Sequence, residues 1–185
     1  EDRLRAPSYP AFWDSPEGGL DAITQQYRND RQAGQKVYVE VWVEKDALSG
    51  VLKRVTQPYG VPIVVNRGYS SASAMHDAYF RFRKAAKRGQ KVVVIYLGDF
   101  DPSGLDMIRD VKNRIDEFIN GAMLPINFSI KPIALTEAQI KKYTPPTNPA
   151  KMKDPRAPEY VAKHGRNSWE VDALEPTVLH SLLED

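Results

Sequence analysis

From residue 36 to residue 143, short runs of mainly apolar residues alternate with segments in which apolar residues recur every three or four positions. This pattern predicts alternating strands and helices. Four runs rich in β-branched and aromatic residues are expected to be strands: 36–43, 61–65, 91–97 and 126–135. Three segments with apolar residues every three or four positions are expected to be helices: 47–55, 71–88 and 102–120. A short helix is predicted from Thr136. Because no hairpin signal separates the strands, the pattern favours an α/β fold, a Rossmann-like sheet of about four parallel strands sandwiched by helices.

The chain on either side of this core is more irregular. Residues 1–35 contain several prolines and glycines, with one helix predicted over 19–31, and are expected to form an N-terminal arm or connector. Residues 36–143 are the predicted core. Residues 144–185 are predicted to be a Pro-rich linker, extended over 144–158, that leads to a C-terminal extension packed on the core.

Composition narrows the class of protein. With 42% hydrophobic and 27% charged residues, the chain can bury a core of ordinary size. No run of 18 apolar residues is present, so no membrane span is expected. The absence of cysteine excludes disulfide scaffolds, thiolate zinc sites and thiol catalysis, and a cytoplasmic location is expected.

Charge is unevenly distributed behind a net value of +2. Residues 131–168 contain eight basic and three acidic residues, whereas 169–185 contain five acidic residues and no basic one. A second basic run covers 81–91. Such runs are usually solvated surfaces, but two of them on either side of an acidic strand end would suit a partner made of phosphates.

Three carboxylates follow two of the predicted strands. Glu44 follows the first strand, and Asp99 and Asp101 follow the third. Ligands of open parallel sheets bind at the carboxyl ends of the strands, so these groups converge if the two strands are neighbours. Mg²⁺ resolves the repulsion among carboxylates and supports phosphoryl transfer. Purely structural roles are the alternatives: Asp101 precedes Pro102 as a helix N-cap would, and Glu44 could pair with Lys45.

In their order along the chain, these residues resemble the Toprim domain, whose pattern is a Glu after the first strand and DxD after the third. Within that superfamily the chain is most similar to the A subunit of topoisomerase VI, a type IIB topoisomerase, and to the related meiotic double-strand-break transesterase. The similar segments are Val41-Trp42-Val43-Glu44-Lys45, Arg67-Gly68-Tyr69-Ser70-Ser71, Asp99-Phe100-Asp101-Pro102-Ser103-Gly104 and Trp169-Glu170-Val171-Asp172-Ala173-Leu174. Residues 149–156 also resemble stand-alone members of the group carried by plasmids and phages.

The resemblance implies Mg²⁺-dependent (or Mn²⁺-dependent) DNA cleavage, with Glu44, Asp99 and Asp101 holding the metal against the scissile phosphate. It makes Lys45, Arg67 and Ser70 candidates for contacts to the DNA backbone or transition state. Candidates for further backbone contacts are Lys151, Lys153 and Arg156 on the Pro-rich linker. Glu170 is expected either to support the site or to form an ion pair with the basic linker. The implied partners are DNA and a second copy of the full-length protein, with a location on nucleoid, viral or plasmid DNA.

One departure from this family concerns the nucleophile. In type IIB enzymes the attacking tyrosine lies on a winged-helix domain before the Toprim domain, and residues 1–35 are too few to form one. Because the chain starts with Glu1 rather than Met, it is expected to be a fragment that begins after such a domain. Tyr27 is a poor candidate for the nucleophile, and Tyr38, Tyr79 and Tyr96 are expected in the core. A metal-activated water would need no tyrosine.

Two other functions stay open at this level. Residues 96–101 also resemble the motif of haloacid-dehalogenase-like phosphatases, in which Asp99 would be the nucleophile and Asp101 the acid/base. That family normally opens with this motif, whereas here two strand–helix units precede it. A non-catalytic DNA-binding module is the other alternative. The sequence has no P-loop and no GxSxG motif, and His76, His164 and His180 have no metal-ligand spacing.

Overall fold

The computed structural model describes residues 12–27, 29–66, 68, 71–121 and 124–184. The chain divides into two compact units, residues 1–30 and residues 31–185. In the first unit, α1 covers Pro16–Gln26 rather than the predicted 19–31. Ser15 caps it by accepting a hydrogen bond of 3.1 Å from the N–H of Gly18, and Pro16 occupies the first helical position. Leu20, Ile23 and Tyr27 are exposed on this unit.

The second unit is built on four parallel strands in the order β2-β1-β3-β4. The strands are β1 (Val37–Val43), β2 (Ile63–Val65), β3 (Lys91–Leu97) and β4 (Phe128–Ala134). The helices are α2 (Ser49–Thr56), α3 (Ala72–Lys87), α4 (Pro102–Asn120), α5 (Glu137–Tyr143), α6 (Ala157–His164) and α7 (Pro176–Glu184). The α/β class and the parallel Rossmann-like sheet predicted from the sequence are therefore confirmed.

Helices cover both faces of the sheet. On one face, the cluster of buried residues joins Trp42 and Tyr96 of the sheet to Phe82 of α3 and Met107 of α4. On the other face, Val41 and Val43 pack with Leu52 of α2 and Leu179 of α7. The last helix therefore completes the core around a strand that lies more than 130 residues earlier in the chain.

Two local predictions are wrong. The second strand was predicted over 61–65, but β2 covers only Ile63–Val65, and its three residues are half-buried because β2 lies at the edge of the sheet and pairs only with β1. Residues 144–158 were expected to be extended throughout. Instead, a two-residue strand, β5 (Asn148–Pro149), pairs with β6 (Asn167–Ser168), turns follow at 152–156, and α6 begins at Ala157.

A buried carboxylate inside the sheet was not predicted. Glu40 of β1 has no exposed surface, and its two oxygens accept hydrogen bonds from Arg81 at 2.7 and 3.0 Å. The hydroxyl of Tyr38 and the indole N–H of Trp42 also donate to Glu40, at 2.8 and 2.9 Å. These four donors satisfy the charge and join α3 to the sheet.

Within the described residues, no helix is both long enough and apolar enough to cross a membrane.

Candidate active site

Glu44, Asp99 and Asp101 lie at the carboxyl edge of the sheet, where the strands end; they are called the carboxylate site below. Glu44 follows β1 directly, and Asp99 lies two residues after β3. The two strands are hydrogen-bonded neighbours, with Val43 opposite Leu97. As a result, Oε2 of Glu44 accepts a hydrogen bond of 3.1 Å from the N–H of Asp99.

One oxygen of each carboxylate is oriented by a backbone N–H. Oε2 of Glu44 accepts a hydrogen bond from the N–H of Asp99, and Oδ1 of Asp99 accepts one of 2.8 Å from the N–H of Val171. Asp101 caps α4, since its Oδ1 accepts from the N–H of Gly104 at 2.6 Å and from the hydroxyl of Ser103 at 2.9 Å. The capping role considered for Asp101 is thus present. The other oxygen of Asp101, Oδ2, takes no part in this cap and lies 3.8 Å from the ammonium of Lys151.

Two glycines allow this close packing. A Cβ on Gly98 would collide with the ring of Tyr96 and lie 3.3 Å from Oε2 of Glu44. A Cβ on Gly104 would collide with the carbonyl oxygen of Asp99. The glycines therefore bring the start of α4 and the carboxylate of Glu44 against the loop that carries Asp99.

Burial and mutual repulsion make Glu44 and Asp99 hard to ionise. Burial raises the pKa of Glu44 to about 7, and the negative charges of Asp99 and Asp101 act in the same direction. Burial also raises the pKa of Asp99, although the hydrogen bond from Val171 and the charge of Lys45 oppose that rise. A cation bound among these groups would favour their ionised forms.

The C-terminal segment holds the loop that contains both aspartates. Phe100 pairs with Trp169 through two backbone hydrogen bonds, of 2.8 and 3.0 Å. The hydroxyl of Tyr160 donates to the carbonyl oxygen of Phe100 at 3.0 Å. Together with the bond from Val171 to Asp99, these contacts fix the loop from a segment that lies about 70 residues later in the chain.

Lys45 is bound by the same C-terminal segment. Its ammonium lies 2.7 Å from Glu170, 2.6 Å from Asp172 and 3.8 Å from Asp99. Although burial alone would lower the pKa of Lys45, the hydrogen bonds to Asp172 and Glu170 raise it. Glu170 therefore pairs with Lys45, and the expected alternative of an ion pair with the basic linker is wrong. Asp172, which also binds Lys45, was not among the predicted site residues, although it lies in the acidic stretch that starts at Trp169 and in the similar segment 169–174.

The other predicted DNA contacts fall into three groups. Lys151 is largely exposed and lies next to Asp101, and Lys153 is also exposed. Arg156 is engaged by two carboxylates, at 2.7 Å from Asp154 and 3.0 Å from Asp106. Arg67 and Ser70 lie outside the described residues. Among these residues, Lys151 is thus the accessible cation next to the carboxylate site, and Lys153, also exposed, follows two residues later.

The second basic run does not flank the site. It occupies the end of α3 and the turn before β3, whereas Asp99 follows the other end of β3. Seven residues of extended strand separate the two ends by roughly 20 Å. An open groove lined by Lys36, Val37 and Tyr59, among others, also lies at the amino ends of the strands. The two basic runs therefore do not converge on one surface around the carboxylates.

Tyrosines near the core are poor candidates for a nucleophile. Tyr96 is fully buried and its hydroxyl donates to Sδ of Met107 at 3.1 Å, while Tyr38 and Tyr79 are half-buried. Tyr27 is exposed, and its hydroxyl donates to Asn29 at 2.7 Å.

The donor set suits a hard divalent cation, because it consists of carboxylate oxygens, which are the ligands that Mg²⁺ prefers in proteins. Among the described residues, no three Asp, Glu, His or Cys side chains are arranged to hold a metal ion as they stand. Glu44 and Asp99 each keep one oxygen beyond the backbone bonds described above. For all three carboxylates to coordinate one cation, their side chains would have to rotate. The backbone hydrogen bonds between the strands and to the C-terminal segment would stay in place.

In comparisons with protein-family models, curated proteins and solved structures, the chain gives no significant match. The similarity to the Toprim domain thus remains a prediction from the sequence motifs.

Proposed function

We propose that this chain is a Toprim-like domain, similar to that of the topoisomerase VI A subunit, that takes part in Mg²⁺-dependent cleavage of DNA strands. The observation that supports this proposal is the convergence of Glu44 with the Asp99 loop at the carboxyl edge of neighbouring parallel strands. Open parallel sheets bind ligands at this edge. Mn²⁺ is the alternative ion.

In the proposed mechanism, Glu44, Asp99 and Asp101 would hold the cation next to the scissile phosphate. When bound, the cation supplies charge stabilisation and activates the attacking oxygen. That oxygen would lose its proton to water and bond to phosphorus, the bond from phosphorus to one deoxyribose oxygen would break, and the departing oxygen would take up a proton from water. The attacking oxygen is a water or a tyrosine hydroxyl from outside this chain.

The surroundings of the site suggest how DNA is bound. Lys151 lies next to Asp101 and is exposed, so it is placed to contact a DNA phosphate, with Lys153 two residues later. Lys45 lies between Asp99, a proposed metal ligand, and the acidic pair Glu170 and Asp172. Its main proposed role is therefore to position Asp99, and a contact with DNA is a secondary role. In the full-length protein, a winged-helix domain and a second copy would complete the cleavage machinery.

Cleavage of supercoiled plasmid with and without Mg²⁺ tests this proposal. Glu44→Gln and Asp99→Asn are expected to abolish nicking and to weaken Mg²⁺ binding measured by calorimetry. Asp116→Asn, on the exposed side of α4, is the matched control and should leave both unchanged. If the wild-type chain neither binds Mg²⁺ or Mn²⁺ nor nicks DNA, the proposal is wrong.

The same variants separate the alternatives. A covalent protein–DNA adduct formed by a longer chain would support the tyrosine mechanism, whereas nicking without an adduct would support a water nucleophile. Hydrolysis of a small phosphoester that is lost in Asp99→Asn would favour the phosphatase reading. Binding of DNA without metal binding or cleavage would favour a non-catalytic module.

A further inference from the structure

Asn66 lies in the same row of the sheet as Glu44. It follows β2 directly, and its N–H donates a hydrogen bond of 2.8 Å to the carbonyl oxygen of Val43. Because Val43 is opposite both Val65 and Leu97, the next row across three strands consists of Asn66, Glu44 and Gly98. Neighbouring strands are about 4.8 Å apart, so the side chains of Asn66 and Glu44 emerge side by side.

Side-chain alternation places Asn66 on the face of the sheet that carries Tyr96. Val65 packs on the face of α2 and α7, and Val64 packs on the face of α3 and α4. Asn66 therefore points to the second of these faces. Burial and the charge of Glu44 raise the pKa of Tyr96, and the amide of Asn66 lies close enough to the Tyr96 hydroxyl to oppose part of that rise, although the two groups do not meet the distance and angle of a hydrogen bond. Asn66, Glu44 and the ring of Tyr96 thus border one corner of the carboxylate site.

The amide of Asn66 is buried but has no hydrogen-bond partner. The residue is 2% exposed, and neither its Nδ2 nor its Oδ1 forms a hydrogen bond in the structure. The neighbouring hydroxyl of Tyr96 donates to Met107 instead. Buried polar side chains are nearly always paired, and an unpaired amide costs free energy that a leucine of similar size would not.

The chemistry of the amide restricts what its partner is. Nδ2 is a donor and Oδ1 is an acceptor, so a partner that satisfies both must itself accept and donate hydrogen bonds. A carboxylate or phosphate oxygen only accepts, so it can pair with Nδ2, whereas a water bound to a cation donates its hydrogens and so can pair with Oδ1. Mg²⁺ usually keeps several of its waters when it binds protein carboxylates.

We propose that Asn66 is an outer-sphere ligand of the carboxylate site, whose amide hydrogen-bonds to water carried by the divalent cation. This inference rests on the proposed function, because it requires that Glu44 and Asp99 bind a cation. Groups that hydrogen-bond to metal-bound water help to orient the residues that coordinate the metal directly. Mutation of such groups commonly weakens metal affinity by about tenfold or more. Asn66 is therefore a positioning residue next to Glu44 rather than a direct ligand.

Two variants of Asn66 separate this role from a purely structural one. Asn66→Leu removes the unpaired amide, so the metal-free protein is expected to unfold a few degrees higher. Its dissociation constant for Mg²⁺, measured by calorimetry, is expected to rise by about tenfold. Asn66→Asp keeps the acceptor oxygen but adds a charge beside Glu44. It is expected to lower the unfolding temperature and to keep Mg²⁺ affinity at or above the wild-type value.

Gln90 provides the matched control, because it is another buried amide, located at the opposite end of β3. Its Nε2 donates to the carbonyl oxygens of Gln32 and Gln35, so Gln90→Met should lower stability without changing Mg²⁺ affinity. If wild type and Asn66→Leu bind Mg²⁺ equally, the inference is overturned and the proposed function stands. If the wild-type chain binds neither Mg²⁺ nor Mn²⁺, both are overturned.

Discussion

The backbone N–H of Val171 donates a hydrogen bond of 2.8 Å to Oδ1 of Asp99. Val171 is fully buried, and it begins a short 3₁₀ turn after the extended residue Glu170. The C-terminal segment thus does more than cover the sheet, since it fixes one oxygen of an aspartate at the carboxylate site.

Removing the donor of Val171 is expected to weaken metal binding. Val171→Pro lacks the N–H, and the extended backbone of Glu170 is compatible with a following proline. We expect a loss of about 2 kcal/mol in the free energy of unfolding, as for a hydrogen bond to a charged group. We also expect about tenfold weaker Mg²⁺ binding by calorimetry. Val171→Ala keeps the N–H and should lose stability through packing alone; equal Mg²⁺ affinity in both variants would contradict this role.

The ion pair of Arg81 with Glu40 is expected to be essential for stability. Arg81→Met leaves the fully buried Glu40 charge with only the two neutral donors Tyr38 and Trp42. Urea unfolding should show a loss of about 3 kcal/mol. Lys84→Met, at an exposed position on the same helix, should change stability by less than about 0.5 kcal/mol.

Neutralising the buried carboxylate of Glu40 should recover part of the free energy of unfolding that Arg81→Met loses. In Glu40→Gln combined with Arg81→Met, we expect at least about 1 kcal/mol to return, because no unpaired charge remains buried. A double variant that is less stable than Arg81→Met would show that the charge of Glu40 is not the source of the cost.

Glu44 should make the metal-free protein less stable as the pH rises. Its pKa is raised from 4.5 to about 7, so the folded state holds this proton more tightly than the unfolded state does. The resulting stabilisation is complete below pH 4.5 and is lost as the pH rises through 7. After allowance for partial solvent exposure, we expect a loss on the order of 1 kcal/mol between pH 5 and pH 8.

Comparison with Glu44→Gln isolates this contribution. Chemical unfolding in the absence of divalent cations should show a smaller decrease with pH in Glu44→Gln than in wild type. Glu117→Gln, at an exposed position on α4, should behave like wild type. Equal pH dependence in wild type and Glu44→Gln would show that Glu44 titrates near its ordinary pKa.

The glycines of the Asp99 loop should not tolerate a methyl group. Gly98→Ala forces a Cβ against the ring of Tyr96, and Gly104→Ala forces one against the backbone of Asp99. We expect each to lose about 2 to 3 kcal/mol by thermal or urea unfolding, as overpacking does. Gly50→Ala is the control: it meets no atom within 4 Å, lies in α2, and should gain up to about 1 kcal/mol. Similar stability in all three variants would contradict the close approach.

DNA affinity should depend on the lysines beside the carboxylate site rather than on those at the far end of α3. In Lys151→Gln with Lys153→Gln, the slope of log affinity against log salt should fall by about 2, as for two lost phosphate contacts. Lys84→Gln with Lys87→Gln removes the same charge at the opposite end of the sheet and should leave the slope unchanged. A larger effect in the second pair would place the DNA on the other side of the domain.

Much of the fold could be predicted because its signals are local. The bounds of β3 and α4 coincide with the predicted 91–97 and 102–120, since a fully apolar strand and an Asp-Pro helix start are both encoded within a few residues. Predictions were less accurate at α1 and β2. At α1 the local start signal was placed too late, because the helix begins at Pro16 directly after the Ser15 cap, whereas the short β2 reflects its position at the sheet edge.

The candidate site was predicted only in part. Glu44, Asp99 and Asp101 could be selected because strand ends at the carboxyl edge of a parallel sheet are the usual place for ligands. Asp172 and Asn66 could not be selected in the same way. Their significance depends on Lys45 and Glu44, which lie 127 and 22 residues earlier in the chain.

The sequence by itself determined the alternation of strands and helices, the parallel sheet and the edge at which its carboxylates lie. These features follow from side-chain periodicity and from capping, which act over one or two turns of the chain. Only the tertiary structure decided that β1 lies between β2 and β3, that Val171 orients Asp99, and that the basic run of α3 lies away from the carboxylates. Such contacts join residues that are distant in sequence, and their geometry is set by how the helices and the C-terminal segment pack around the sheet.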